Sequence, residues 1–256
     1  MKVKFLGTSA GWPLPRLGCN CQICTSKDSK DKRLRPAILV NDSVLVDAGP
    51  DIYHQLQPLL KTKSCQLKTI LVTHAHPDHI LGFHDLSHIY NKEGAITVFA
   101  PQEVINGIKK IFDFPASGIK FIPTQPEQQF EVANLKITYF PVEHTRKPAF
   151  GIKIKGEKLI SYIPDLRKLP KLSATICRSC DILILDGSSL GPRGQTISHQ
   201  SIEEGIELAK KLKPKKVYFT HLGHSTGRHE NLEDFVQEAP GGSKFHIAYD
   251  GLELEL

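Results

Sequence analysis

The sequence predicts an α/β fold in which mixed β-sheets form a sandwich covered by helices. Its 256 residues are 40% hydrophobic and 23% charged, which is typical of an ordinary globular chain. Short apolar runs rich in valine and isoleucine recur along it, bounded by Gly, Pro, Asp or Asn, as strands are. Helical patterns lie between several of these runs, and no Pro/Ser/Gly-rich linker divides the chain. We therefore expect one domain covering residues 1–256.

The predicted strands extend over most of the chain, and the early ones follow one another closely, as in hairpins. They are VKFL (3–6), AILV (37–40), SVLVDA (43–48), TILVT (69–73), ITVFA (96–100), KITYFPV (136–142), FGIKI (150–154), LISYI (159–163), DILILD (181–186) and KVYFT (216–220). Valine- and isoleucine-rich runs of this length favour buried strands over helices.

The clearest helix is predicted over residues 201–212. Ser201 and Glu204 have the spacing of a capping box, which satisfies the first free backbone N–H groups of a helix. The apolar residues that share one face are Ile202, Ile206 and Ala209. A second helix is predicted to begin at Pro101, because proline suits the first helical position.

Charge and the N-terminal residues exclude several classes of protein. No apolar run approaches the roughly 18–20 residues that a membrane span needs, and the first residues lack the apolar core of a secretory signal. We therefore expect a cytoplasmic protein with no membrane partner. The net charge of +6 is mild, so it favours anionic substrates by steering but does not argue for nucleic acid.

The most informative motif is Thr73-His74-Ala75-His76-Pro77-Asp78-His79, directly after the predicted strand TILV. In an extended segment alternate side chains point the same way, so His74 and His76 are placed to bind one metal ion. After Pro77 turns the chain, Asp78 and His79 are placed to bind a second. Imidazole and carboxylate together suit Zn, Mn or Fe rather than Cu(I).

Further ligands are expected at the ends of other strands, where binding residues are commonly positioned. Three candidates follow apolar runs by one to three residues: His144, Asp165 and His221. Their shared position predicts that they lie on the same rim of the sheets as the histidine motif.

Three cysteines within six residues, Cys19, Cys21 and Cys24, indicate a metal rather than disulfides in a reducing compartment. A closed structural zinc site needs four ligands, so one is missing. The candidates for the fourth ligand are Cys65, Cys177, Cys180 and a histidine such as His224. Spacing alone does not choose between them, although the isolated CxxC at 177–180 is interpreted as ordinary thiols.

These motifs together resemble the metallo-β-lactamase superfamily, and within it the PhnP-type phosphodiesterases. The resemblance covers almost the whole chain. It is carried, in order, by LGTSAG, GCNCQIC, LVDAGPD (45–51), THAHPDH (73–79), PVEHT (141–145), YIPD (162–165), LILDGSS (183–189), SHQS (198–201), THLGHS (220–225) and YDGLEL (249–254). The HxHxDH motif marks the superfamily, whereas the CxCxxC loop with the later HxxH is more specific to the subgroup.

The resemblance implies an αβ/βα four-layer sandwich with two mixed β-sheets and three metal sites. One divalent ion, Zn or Mn, is bound by His74, His76 and His144. A second is bound by Asp78, His79 and His221, and Asp165 bridges the two. A structural zinc is held by Cys19, Cys21, Cys24 and His224, in a loop at about 18–35. Asp47 braces the dinuclear site.

The resemblance also implies a hydrolase acting on a small, cyclic phosphodiester of the ribose cyclic phosphate or 2′,3′-cyclic nucleotide type. Two metal ions activate the hydroxide that attacks phosphorus. The predicted catalytic residues are His199, as general acid for the leaving alkoxide, with Asp78 and Asp165. Arg146 and Lys147 are open as either phosphate ligands or solvent-facing cations. The family further implies a homodimer.

Two alternatives stay open on the sequence. One is a tRNA 3′-processing nuclease, but many of those carry a long RNA-binding arm between the residues matching His144 and Asp165. Here that interval is 21 positions, and those enzymes lack the CxCxxC loop. The other is a PqqB-like protein, which shares the cysteine loop but whose relatives depart from the full dinuclear ligand set.

Overall fold

Two β-sheets organise the computed structural model, which describes residues 1–86, 89, 96–112, 119–191 and 197–256. The first sheet contains β1 (Lys2–Gly7), β2 (Ala37–Val40), β3 (Val44–Val46), β4 (Thr69–Leu71), β5 (Ile96–Pro101), β6 (Ile119–Thr124) and β14 (Glu253–Glu255). The second contains β7 (Gln129–Val132), β8 (Leu135–Val142), β9 (Ala149–Lys155), β10 (Leu159–Ile163), β11 (Ile182–Asp186), β12 (Lys216–Thr220) and β13 (Phe245–Ile247).

Each sheet is antiparallel at one side and parallel at the other. The first has the order β14-β1-β2-β3-β4-β5-β6, antiparallel as far as β3 and parallel beyond it. The second has the order β13-β12-β11-β10-β9-β8-β7, with β10 to β13 parallel and the rest antiparallel. The predicted α/β fold with two mixed sheets is confirmed.

Six α-helices with defined bounds accompany the sheets in the described residues. They are α1 (Ile52–Lys61), α2 (Pro77–Ile80), α3 (Gln102–Ile111), α4 (Lys171–Cys177), α5 (Ile202–Leu212) and α6 (His229–Glu238). The capping box predicted for α5 is present, with the Ser201 hydroxyl accepting from the backbone of Glu204 and the Glu204 carboxylate accepting from that of Ser201. None of the described helices is long and apolar enough to cross a membrane.

Strand alternation builds the layers. On β11, Ile182 and Ile184 join the buried cluster that also holds residues of the first sheet, such as Val3 and Phe5. Leu183 on the opposite face joins a second cluster, under α5 and α6. The second sheet is therefore covered by the first sheet on one face and by helices on the other.

The strand ends then place polar side chains on one rim. The segment 73–79 follows β4, His144 follows β8, Asp165 follows β10 and His221 follows β12. These strands belong to both sheets, so the rim that they share lies where the two sheets meet.

Candidate metal centre

The histidine motif changes conformation at Pro77, as the sequence predicts. His76 is extended, and Pro77 then occupies the first turn of the short helix α2, which carries Asp78 and His79. The chain therefore presents His74 and His76 before the turn and Asp78 and His79 after it.

A first set of three possible ligands is formed by His74, His76 and His144. Their ligand atoms all lie within 4.8 Å of one another. The Nδ1 atom of His76 is 2.9 Å from His74 Nε2 and 3.3 Å from His144 Nε2. His76 thus presents Nδ1 to the centre, whereas the other two present Nε2.

A second set is formed by Asp78, His79 and His221, again within 4.8 Å of one another. Asp165 lies between the two sets. Its Oδ1 is 3.4 Å from His144 Nε2 and 3.3 Å from His221 Nε2, and its Oδ2 is 3.0 Å from His79 Nε2. One carboxylate therefore reaches both sets of ligands, which is the arrangement of a dinuclear site with a bridging aspartate.

Hydrogen bonds on Nδ1 orient two of these rings through Asp47, which is fully buried. His79 Nδ1 donates to Asp47 Oδ2 at 2.8 Å. The Thr73 hydroxyl donates to the same carboxylate at 2.9 Å and accepts from His74 Nδ1 at 3.0 Å. Because Nδ1 is engaged by these hydrogen bonds in both rings, Nε2 is the nitrogen that each ring directs at the centre.

Two further rings, those of His144 and His221, are also held through Nδ1. His144 Nδ1 donates to the carbonyl oxygen of Ser198 at 2.7 Å, and His221 Nδ1 lies 2.9 Å from the Ser188 hydroxyl. Asp47, predicted to brace the site, thus orients His74 and His79. Ser198 orients His144, and Ser188 orients His221.

The buried polar atoms of this cluster fit a metal. His79 Nε2 and Asp165 Oδ2 are buried and face each other at 3.0 Å, but neither makes a hydrogen bond of adequate geometry to the other or to any further described residue. Burial lowers the pKa of His74 well below its usual value and that of His76 to about 4, so both imidazoles are neutral. Neutral imidazoles beside carboxylates form the donor set that a divalent cation prefers, and a bound cation would satisfy the two orphaned atoms.

The carboxylates of the cluster are ionised despite their burial. Burial opposes ionisation of Asp165, but the charges on His221 and His79 outweigh it and hold the pKa of Asp165 well below its usual range. Burial likewise opposes ionisation of Asp78, and His79 again outweighs it, so the pKa of Asp78 also falls far below its usual range. The cluster therefore offers negative charge to a cation at neutral pH.

His199 lies beside the two ligand sets, at the start of the segment that leads into α5. Its Nδ1 is 2.8 Å from Asp186 Oδ2 and 3.9 Å from Asp165 Oδ1. Burial lowers the pKa of His199, but the charge on Asp186 outweighs it and raises the pKa to about 9. His199 is therefore protonated at neutral pH, as a general acid must be.

Asp186 and Ser188 are functional residues that the sequence reasoning did not single out. Asp186 is fully buried at the end of β11, accepts from the backbone N–H of Leu166 at 2.8 Å and also binds the Ser188 hydroxyl. The sequence does contain a signal for Asp186, because this aspartate ends the apolar run DILILD. A carboxylate buried at the end of a strand needs several hydrogen-bond donors around it, which marks the position as unusual.

The ligand sets open onto a cavity of about 320 Å³. Trp12 and Arg16 also line it, and Arg16 is the sole lysine or arginine among the described lining residues. Arg146 and Lys147, the candidate phosphate ligands, are exposed and do not line it, although Thr145 does. Among the described lining residues, the one guanidinium group is therefore supplied by the N-terminal loop.

The fourth residue of the cysteine cluster is His224. Cys19, Cys21, Cys24 and His224 have ligand atoms within 4.8 Å of one another, and His224 Nε2 is 3.3 Å from Cys19 Sγ and 3.2 Å from Cys21 Sγ. Three sulfurs and one imidazole suit a closed, tetrahedral zinc site.

The alternative cysteines lie elsewhere. Cys65 belongs to the core cluster between the sheets, and Cys177 and Cys180 belong to the cluster under α5 and α6. Burial raises the pKa of Cys177 to about 12 and that of Cys180 to about 11. These are the properties of ordinary buried thiols, as the sequence suggested.

Fold and rim site together define the class of protein. Two mixed sheets with a His/Asp cluster at their shared rim form a metallo-β-lactamase fold. Residues 42–222 match the family model described as a beta-lactamase superfamily domain, so the chain belongs to this superfamily. Members are generally hydrolases that bind divalent metals. The resemblance found in the sequence is confirmed.

Three proteins similar to this chain are more specific than the superfamily. A crystal structure of a new diphosphatase from the PhnP family is 28% identical, with a TM-score of 0.85, over 100% of this chain and 97% of that one. Coenzyme PQQ synthesis protein B of Methylobacterium radiotolerans is 27% identical over 100% of both chains. An octanoyltransferase of Porphyromonas gingivalis is 30% identical over 99% of this chain but 51% of its own length. The chain therefore spans about half of that relative.

Proposed function

We propose that the protein is a metal-dependent phosphodiesterase that hydrolyses a small, cyclic phosphodiester. The observation that carries the proposal is the position of Asp165, shared between two sets of three ligands and 3.9 Å from Nδ1 of His199. The similarity to a PhnP-family diphosphatase supports the same class of phosphorus chemistry.

The residues would hold two divalent ions, Zn or Mn. His74, His76 and His144 would bind one, and Asp78, His79 and His221 the other, with Asp165 common to both. When bound, the two ions supply Lewis-acid activation of water and of the phosphoryl oxygens.

The proton for the leaving group comes from His199. Asp186 holds Nδ1 of His199, so the ring is oriented and stays protonated. His199 lines the cavity, and Nε2 is the ring nitrogen that would donate to the leaving alkoxide. The ribose oxygen released from the phosphate leaves as a neutral hydroxyl.

A nuclease that processes tRNA is less consistent with the structure. The interval from His144 to Asp165 contains β9, β10 and their connections, and no projecting arm. A role like that of coenzyme PQQ synthesis protein B is the second candidate, because that relative matches this chain over its full length. The presence of every ligand of the dinuclear set favours the hydrolase.

The test is turnover of bis(p-nitrophenyl) phosphate by protein loaded with Mn or Zn. His76→Ala removes a ligand of the first set and should abolish metal-dependent release of nitrophenol. His54→Ala, an exposed histidine on α1, is the matched control and should behave as the wild type. No release from fully loaded wild-type protein would exclude this reaction class and favour the second candidate.

A further inference from the structure

An exposed aromatic ring lines the same cavity as the candidate metal ligands. Trp12, the only tryptophan of the chain, is 64% exposed and lines the cavity. The guanidinium carbon of Arg16 lies 5.2 Å from the centroid of the Trp12 ring, in a cation–π arrangement. Arg16 Nε is buried and has no hydrogen-bond partner in the described residues. We call these two side chains the Trp12–Arg16 pair.

The backbone that carries this pair is anchored on both sides. The Ser9 hydroxyl donates to the carbonyl of Trp12 at 2.5 Å, and Arg35 Nε donates to that of Gly11 at 3.0 Å. The backbone N–H of Arg16 donates to Cys24 Sγ at 3.3 Å. The exposure of the indole is therefore a property of a fixed loop, and the zinc-binding cysteines help to hold it.

The pair also lies next to the reacting centre. Gly11 precedes Trp12, and a Cβ built on Gly11 would be 3.7 Å from Asp78 Oδ2, a carboxylate of the second ligand set. A phosphate ester bound at the metal ligands would occupy the cavity that Trp12 also lines. Leaving so large an apolar ring in water forgoes the free energy of burying it, which a ligand that stacks on it would recover.

We propose that the Trp12–Arg16 pair is a stacking subsite that binds the base of a nucleoside 2′,3′-cyclic phosphate. This rests on the proposed phosphodiesterase function and chooses the nucleotide over a base-free ribose cyclic phosphate. Indole and guanidinium both present flat faces on which any nucleobase stacks, so the subsite tolerates different bases. A ribose phosphate without a base would leave the indole uncovered.

Because Trp12 is the sole tryptophan, its fluorescence reports directly on the subsite, without turnover. The protein for this measurement is zinc-loaded His199→Ala, titrated with uridine 2′,3′-cyclic phosphate and with methyl riboside 2,3-cyclic phosphate, which lacks a base. We expect saturable quenching by the nucleotide and none by the base-free ester. Calorimetric binding of the nucleotide with unchanged emission would overturn the proposal.

Steady-state kinetics distinguish a role of the pair in binding the base from a role in supporting the loop. Trp12→Ala and Arg16→Ala should each raise KM for the cyclic nucleotide by about 5- to 100-fold, the range for losing one stacked base, with kcat nearly constant. For Trp12→Ala, KM for the base-free ester should change less than about 2-fold, and Trp12→Phe should restore most of the affinity. Leu17→Ala is the control, because that fully exposed neighbour does not line the cavity.

Two further outcomes would contradict the proposal. Equal losses on both esters would show that the pair only supports the loop. A Trp12 emission that shifts with protein concentration, together with an oligomeric state changed by Trp12→Ala, would show that a second copy of the chain covers the ring. If wild-type protein turns over no phosphodiester, the proposed function fails, while the fluorescence titration still decides whether the subsite binds a base.

Discussion

Individual side chains decide which nitrogen each histidine offers to a metal. Asp47 is the strongest example, since it receives His79 Nδ1 at 2.8 Å and, through the Thr73 hydroxyl, also positions His74. Partners of this kind fix the tautomer and the ring orientation before any ion binds. Affinity for the metal should therefore depend on residues that do not touch it.

Replacing Asp47 by asparagine tests that dependence. The amide keeps the shape but lacks the charge that holds His79, so we expect affinity for the divalent metal to fall by about 10–100-fold with the fold retained. Competition with a chelator, followed by metal analysis, measures the change. Asp42→Asn on the exposed β2–β3 turn is the control, and equal affinities for both variants would refute the role of Asp47.

Replacing His199 by alanine separates chemistry from metal binding. The variant should keep its two metal ions and lose about 10²–10⁴-fold in kcat, the usual contribution of a positioned acid. A substrate with a good leaving group, such as bis(p-nitrophenyl) phosphate, should lose less than one with an alkoxide leaving group. Normal turnover of the alkyl ester by His199→Ala would show that another group donates the proton.

Among the elements, the cysteine loop has a structural role with a consequence for the cavity. Its ligands are far apart in sequence, because Cys19, Cys21 and Cys24 meet His224 from the segment after β12. A zinc bound there would join the N-terminal loop to the segment that also carries His221. The cysteine loop also positions Arg16, whose backbone N–H donates to Cys24 Sγ.

Cys21→Ser should release one zinc and lower the melting temperature, because the metal-binding free energy contributes to folding. The folded fraction should retain both ions of the dinuclear centre and its turnover of small esters. Metal analysis beside thermal unfolding measures both effects, with Cys65→Ser as a control outside the site. Loss of the dinuclear ions from folded Cys21→Ser would mean that the two kinds of site have been misassigned.

Across the whole molecule, a buried arginine ties the two ends of the chain together. Arg33 is 2% exposed and donates to Thr8 Oγ1 at 2.7 Å, to the carbonyl of Ala248 at 2.6 Å and to His229 Nδ1 at 3.1 Å. Burial lowers the pKa of Arg33 to about 10, so it stays charged at neutral pH. His229 must therefore accept, and its burial and the charge on Arg33 lower its pKa to about 4.

This contact predicts a loss of stability in mild acid. Between pH 6.5 and 4 the unfolded chain protonates His229 while the folded chain does not, so the free energy of unfolding falls as the pH falls through that window. The part due to His229 should be about 2–3 kcal/mol. Chemical denaturation at pH 7 and at pH 4.5 measures it.

His229→Asn is the informative variant, because the asparagine oxygen can accept from Arg33 but does not titrate. It should lose less stability than the wild type over the same interval, and His54→Asn should behave as the wild type. Identical pH dependence in wild type and His229→Asn would show that other groups account for the acid sensitivity.

Features with a local cause were predictable from the sequence. The central strands and α5 follow from short apolar runs and a capping box, and the HxHxDH and CxCxxC motifs lie within a few residues each. Strands β6, β7, β13 and β14 and helices α1, α2, α4 and α6 were not predicted. The outer strands β6 and β7 show mixed burial, α1 contains Pro58, and α6 begins without a side-chain cap.

The sequence by itself determined the fold class, the identity of the candidate ligands and the family to which the chain belongs. The family resemblance already implied His224 as the fourth ligand beside the cysteines, and the tertiary structure brings the four residues together. Only the tertiary structure placed Asp186 behind His199 and set Arg16, rather than Arg146 or Lys147, against the cavity. The reason is physical. Periodicity and short motifs report neighbours along the chain, whereas these contacts join segments up to about two hundred residues apart, such as Cys19 and His224 at a separation of 205. Packing of the two sheets brings such segments to one rim.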